Sequence, residues 1–318
     1  MTETLNRRGL GYGVTAYVIW GLFPILMAAL EPAAAFEIVA WRALSSLVVC
    51  VLIFAVMRGW SRIGAVLRDR RTTLRLVAAG VIIAANWGVM VYAVVTERVA
   101  SASLGYYINP LVTVTLAVVF LGERLRRLQI AAIFVALIAV AVVAWQMGGV
   151  PWISLVLAGS FALYSLIKKG VGAKVDALTG LTIETAAIAP VAVLVLFLVH
   201  AAGDTTFGTR GAEGLGWWHD TMLAGTGTWT AGALLVFAAG ARRLPLNVTG
   251  MLQYIAPTMT FVLAVWYFDE PMPAVRWIGF GFVWIALVLF SIDALRTRPS
   301  GVRAQRARAE AAIAAEAI

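Results

Sequence analysis

The sequence predicts an all-α integral membrane protein, with ten transmembrane helices arranged as two inverted five-helix repeats. Three observations predict it. The first is composition: 62% of residues are hydrophobic and 13% are charged, and the mean hydropathy is +0.90. A soluble domain is about a quarter charged. The second is a duplication. YINPLVTVTLAVVFLGE begins at Tyr107 and YIAPTMTFVLAVWYFDE at Tyr254; these 17-residue windows agree at eight positions, 147 residues apart. Self-similarity at a fixed offset marks a repeated structural unit. The third is the distribution of basic residues. With the N-terminus inside, inner segments hold twenty-one Lys and Arg, and outer segments hold three: Arg98, Arg210 and Arg276. That is a strong positive-inside bias.

The apolar spans run over 11–30, 35–57, 74–95, 100–121, 127–146, 150–167, 178–200, 220–240, 246–268 and 274–293. At about 1.5 Å rise per residue, each is long enough for a hydrocarbon core of about 30 Å. Backbone polar groups in lipid must pair within their own segment, so each span is a helix. The first carries Trp20 and Pro24 inside an apolar stretch longer than a leader core, which predicts a retained span. The second holds Glu37 near its outer end and Arg42 five residues on. A charge at the bilayer centre costs about 2.5–3.5 kcal/mol. Five residues separate side chains by about 140° on a helix, so Arg42 must reach another helix or face water.

The third span places Asn86 and Trp87 at mid-helix, away from the interfaces where Trp usually sits. The fourth carries Tyr106, Tyr107, Asn109 and Pro110; the ninth carries Gln253, Tyr254, Pro257 and Thr258. Proline has no N–H, so Pro110 frees the carbonyl of Tyr106 and Pro257 that of Gln253. Helix breaks of this kind are tolerated where they line a cavity or pack on protein. The sixth span has Tyr164 at mid-helix, and the seventh has Glu184, 147 residues after Glu37. The eighth, TMLAGTGTWTAGALLVFAAG, is the weakest, being rich in Thr and Gly.

Five helices per copy is an odd number, so the second copy enters the membrane the opposite way round. The copies span 1–147 and 148–298, followed by a cytoplasmic tail at 299–318, with both termini inside. Glu123 and Glu270 end the fourth and ninth helices, where caps or loop contacts are expected. Cys50 is the single cysteine, and His200 and His219 fall in or beside one loop as surface residues. No metal site and no cofactor motif is expected, and no P-loop is present. The net charge of +9 sits in short inner loops beside anionic lipid and calls for no nucleic acid. The glycosylation-like Asn247-Val248-Thr249 falls near the cytoplasmic face.

Several of these residues are candidates for work. The planar fork of Arg42 suits a carboxylate or phosphate, the alternative being a structural ion pair or a contact with helix carbonyls. Glu37 and Glu184 are candidate gates or proton sites, the alternative being acids that favour a helix N-terminus. Trp20, Trp87, Tyr106, Tyr107, Tyr164 and Tyr254, with Asn86, Asn109, Gln253 and Thr258, suit a cavity for an amphipathic or cationic solute. Tight helix packing is the competing account of the aromatics.

The motifs AYVIWGLFP (16–24), NW (86–87), ASLGYYINPLV (102–112), FLGERLRRLQ (120–129), SFALYSLIKK (160–169), IET (183–185) and QYIAPT (253–258) are spread over nearly the whole chain. Together they resemble the drug/metabolite transporter superfamily, in its EamA-type branch and within that the RarD-like permeases named for chloramphenicol sensitivity. The resemblance implies a cytoplasmic-membrane permease for small organic metabolites or drugs, often acting outward. It also implies a central cavity lined mainly by helices 1–4 and 6–9. A proton is a candidate coupling partner. Two other classes would carry different signatures. A membrane-embedded enzyme acting on a lipid-linked substrate needs clustered acids, histidines or metal ligands at one face. The segment with Asp204, Glu213, His219 and Asp220 is its one candidate, and it reads as a Gly-rich linker. A channel needs a polar stripe along a whole helix, and none is seen.

Overall fold

The computed structural model describes residues 7–121, 125–171, 175–208, 216–241, 243–244, 248 and 251–296. Glu123, Arg210, Glu213, Asn247, Thr249 and the tail lie outside the described residues.

The described chain is helical, with no strands. A first helix, α1 (Arg7–Gly21), passes through a single turn residue, Leu22, into α2 (Phe23–Ala28), whose first turn holds Pro24. Proline fits there because a first-turn N–H has no intrahelical partner to lose. α3 spans Ala35–Met57. A short helix the hydropathy pattern did not predict, α4 (Trp60–Arg68), follows it. Then come α5 (Arg70–Val95), α6 (Val99–Leu121) and α7 (Arg127–Met147). The second half runs through α8 (Trp152–Val171), α9 (Ala177–Ala201), α10 (Gly216–Ala241), α11 (Ile255–Trp266) and α12 (Ala274–Arg296). Seven of the described helical segments are long and apolar enough to cross a membrane, taking α1 and α2 as one; two apolar stretches, Trp152–Lys168 and Ile255–Trp266, are shorter.

Polar caps set several boundaries. Asp69 accepts from the Thr72 amide at 3.2 Å to start α5, and Asp176 accepts from the Thr179 amide at 3.0 Å to start α9. α7 stops at Gly148, whose φ of 64° is left-handed and costs glycine little.

The prolines of the repeated motif differ from expectation. α6 continues unbroken through Pro110. Near Pro257 the chain does break, but earlier: Gln253 and Tyr254 form a turn and Pro257 lies in the first turn of α11. Proline at N3 removes no intrahelical donor bond, so α11 starts there without cost.

The helices pack in a definite order. α1 lies along α10 and α11, and α8 lies along α5 and α6. α3 packs on α9 and α10, α5 on α9, α6 on α11, and α7 on α12. α6 and α11, which carry the duplicated motif, are tied by two bonds. Tyr107 donates to Thr258 Oγ1 at 2.8 Å, and Ser103 donates to the Pro257 carbonyl at 2.9 Å.

Two glycines allow backbones to touch. A Cβ on Gly80 of α5 would lie 2.7 Å from the carbonyl oxygen of Glu184 on α9. A Cβ on Gly227 of α10 would overlap the backbone of Ser45 and Ser46 on α3. Gly80 and Gly227 stand 147 residues apart, the offset of the duplicated motif. Small residues at such contacts are how membrane helices gain packing energy. Gly227→Ala should push α3 and α10 apart, at a cost of about 1–3 kcal/mol for overpacking. Thermal unfolding of the purified protein should register it as a lowered Tm; an unchanged Tm would mean the contact is loose.

Candidate functional site: a buried arginine between two glutamate clusters

Arg42 projects from α3 into the protein and is buried. Its guanidinium lies between two rings, 4.2 Å from the centroid of Phe23 and 4.2 Å from that of Trp87. Nε donates to Thr230 Oγ1 of α10 at 2.9 Å. No carboxylate pairs with Arg42 among the described residues. The alternative of a structural ion pair is therefore not what holds it. Two cation–π contacts at about 0.5–2 kcal/mol each and one charged hydrogen bond at about 1.5–3 offset an insertion cost of about 2.5–3.5 kcal/mol. The cation is thus tolerated without an anion among the described residues, none of which bonds either Nη group.

Polar contacts extend from Trp87 toward α8. Asn86 donates to the Leu157 carbonyl at 3.1 Å and to Ser160 Oγ at 2.9 Å, and accepts from Tyr106 at 3.2 Å. Tyr106 meets Phe161 edge to face, and Phe161 meets Tyr164. Tyr164 donates to Glu184 Oε2 at 3.1 Å, and Lys168 pairs with Glu184 Oε1 at 2.6 Å. Thus Arg42, Asn86, Trp87, Tyr106, Tyr164 and Glu184 form one connected series.

Glu184 is buried two turns into α9, so it is not an acid placed at a helix end. Lys168, expected in an inner loop, belongs to α8, which runs on to Val171. Its flexible stem lets a residue at the helix end reach back to a buried carboxylate.

Glu37 lies in the first turn of α3, fully buried. It accepts from Thr205 Oγ1 at 3.1 Å, the Thr206 amide at 3.0 Å and Thr206 Oγ1 at 3.0 Å. His219 is not a surface residue: it is buried, with Nε2 2.9 Å from Thr206 Oγ1. α10 begins at Gly216, so its first turn carries His219 inward onto the 204–207 segment. That segment covers Glu37. His200 is exposed, as expected.

The other candidates are elsewhere. Tyr107, Tyr254, Pro257 and Thr258 sit at the α6–α11 contact, where Thr258 also donates to the Tyr254 carbonyl at 2.7 Å. Trp20 packs with Tyr17 and Phe237. Asn109 accepts from Thr113 at 3.4 Å within α6, and Gln253 sits in the turn before α11. Sequence reasoning missed Phe23, Thr230, Phe161, Ser160, Thr205 and Thr206. Only Lys168, one turn after Tyr164, carried a readable signal.

A cavity of about 540 Å³ lies away from Arg42, bordered by Glu97, Arg98, Gln146, Trp152, Glu270 and Arg276. Glu270 accepts from the amides of Val99 and Ala100, and so caps the start of α6 from the α11–α12 loop. Burial pushes its carboxyl up to about 6. A carboxyl raised above its unfolded value of about 4.3 stabilises the fold fully below that value and loses the contribution as pH rises through about 6. Glu270→Gln should therefore flatten the stability profile between about pH 4.3 and 6. Glu270→Ala should lower stability at every pH by about 1 kcal/mol through loss of the cap. Thermal unfolding against pH tests both; equal slopes in wild type and Glu270→Gln would refute the assignment.

Apolar helices of membrane-spanning length closing on a buried cation and two buried carboxylates define a multi-pass membrane protein. Residues 7–145 match the EamA-like transporter family. Protein RarD of Streptomyces exfoliatus is 45% identical over 98% of this chain and 95% of its own length. Protein RarD of Escherichia coli K12 is 37% identical over 94% and 98%, and the uncharacterized transporter YojE of Bacillus subtilis is 38% identical over 93% and 97%. A solved crystal structure, 20% identical, covers 91% of this chain and 98% of its own with a TM-score of 0.56, a likeness of fold. The chain belongs to the EamA-like transporter family, among its RarD-like permeases. It is a multi-pass membrane transporter of the cell membrane.

Proposed function

We propose that this chain is a secondary transporter that carries a small organic metabolite or drug bearing an anionic group, by alternating access and in the outward direction. Arg42 carries the reading. It is a buried cation held by two aromatic faces and a hydroxyl, with no carboxylate on it and its fork unclaimed among the described residues. Such a group favours a ligand that brings its own carboxylate, phosphate or similar planar anion. Outward movement is the direction the family resemblance implies.

The machine behind it is ten transmembrane helices in two inverted five-helix copies, 1–147 and 148–298, with both termini cytoplasmic. The exchange of packing partners supports this. With α1 matched to α8, α5 to α10 and α6 to α11, α1 packs on α10 and α11 while α8 packs on α5 and α6. The equal offset of Gly80 and Gly227, each at a backbone contact, supports it again. In this arrangement one half rocks against the other and exposes the Arg42 site to each side in turn.

Glu37 and Glu184 act as the outer and inner locks, and either is placed to take a coupling proton. Cysteine labelling tests the arrangement. In a Cys50→Ala background, an impermeant thiol reagent outside intact cells should modify Asp204→Cys and spare Ser61→Cys. The reverse pattern would overturn the orientation.

A further inference from the structure

We propose that α4 and the arginines around it form a binding surface for anionic phospholipid headgroups of the inner leaflet. The proposal rests on the inner-face placement of the α3–α5 connection given under Proposed function.

α4 is nine residues long, WSRIGAVLR. Its inward face is short and apolar. Val66 and Ile63 pack on Leu76 of α5, on Val171 of α8, and on Val175 and Ile183. Ile63 also touches the group of Cys50, Phe54 and Leu178. The flank next to Ile63 stays uncovered: Trp60 is 47% and Leu67 54% exposed, with Arg68 exposed on the far side of Trp60 and Arg62 exposed on the other flank, beside Val66. The apolar exposure continues into the end of α3 at Val56 and Met57.

The charge is one-sided. Between 58 and 75 stand Arg58, Arg62, Arg68, Arg70, Arg71 and Arg75, against a single acid, Asp69. Asp69 is engaged in capping α5 through Thr72. Arg62 lies in the field of Asp176, and none of the six arginines makes an ion pair among the described residues. An exposed apolar strip bordered by arginines, sitting between two membrane-spanning helices, matches the boundary of a bilayer rather than a soluble partner. Apolar side chains enter the acyl boundary while guanidinium groups meet phosphates. A free phosphate would use the arginines but leave Trp60 and Leu67 in water.

Each basic residue near an anionic surface contributes about 1 kcal/mol, or about fivefold in affinity. The experiment uses the full chain in phosphatidylcholine vesicles containing spin-labelled phosphatidylglycerol. Wild type should enrich the labelled lipid at its surface. Arg62→Gln, Arg68→Gln and Arg71→Gln should each reduce that enrichment by about fivefold. Arg276→Gln, outside this surface, should leave it unchanged. Equal enrichment in all variants overturns the proposal. A second measurement removes no arginine: a nitroxide at Leu67→Cys should report headgroup depth in vesicles containing phosphatidylglycerol. A nitroxide fully in water overturns the proposal. Ser61→Cys separates the two readings. Labelling from outside overturns the orientation together with the inner-leaflet assignment. Labelling from inside with no lipid selectivity overturns the surface alone.

Discussion

Arg42→Ala is expected to abolish transport while leaving the protein folded in the membrane. The neighbours explain why the fold survives. Thr230 loses the Nε bond but still donates to the Thr226 carbonyl at 3.2 Å, so its hydroxyl is not orphaned. Phe23 and Trp87 each belong to a packed group that does not depend on the guanidinium. The loss in function follows from the two unclaimed Nη groups. Two charged hydrogen bonds to a ligand, at about 1.5–3 kcal/mol each, correspond to at least about a hundredfold fall in transport. Arg42→Lys should recover little, because an ammonium has no fork and no plane to lie between two rings. Full activity in Arg42→Ala would remove the residue from the site. A variant that never reaches the membrane would assign it a structural role.

The second large effect concerns the two glutamates, and the expected shifts run in opposite directions. Glu37→Gln removes the charge that the Thr205 hydroxyl and the Thr206 amide and hydroxyl answer, and leaves one acceptor oxygen where there were two. Three charge-assisted hydrogen bonds become neutral ones, and the outer lock weakens. Glu184→Gln removes the charge that Lys168 answers. Lys168 keeps 26% of its side chain exposed and can turn to water, so the inner lock opens rather than collapses. A charged hydrogen bond of about 1.5–3 kcal/mol biases a two-state equilibrium about 10- to 150-fold. A cysteine at Ala84, beside Trp87, reads the shift in a Cys50→Ala background. Glu37→Gln should raise its labelling from outside, and Glu184→Gln should lower it. Shifts in the same direction, or none, would leave both glutamates as structural residues.

The helices were legible because hydropathy acts on whole segments, and each apolar span overlaps a described helix. α4 was not, since nine residues with two arginines carry no span-length signal. The proline rule identified the right motif but not the break. α6 passes through Pro110, whereas the second copy turns at Gln253 and Tyr254. The site was half legible. A charge inside a span is costly wherever it sits, so Arg42, Glu37 and Glu184 stood out. Their partners did not. Thr230 is 188 residues from Arg42 and Thr206 is 169 from Glu37, and nothing in helical periodicity selects one threonine among many across such gaps. His219 was misread for the same reason: its burial depends on where α10 begins and on the 204–207 segment folding back over Glu37.

Counterflow in proteoliposomes tests the central claim most directly. Purified protein is reconstituted into vesicles loaded with a small-molecule cell extract, and the solutes that leave are identified by mass spectrometry. The account predicts one or a few anionic solutes whose exit saturates, speeds up when the same solute is present on the far side, and vanishes in Arg42→Ala. Flux that does not saturate, or exit of the same solutes at wild-type rates from Arg42→Ala vesicles, would contradict it.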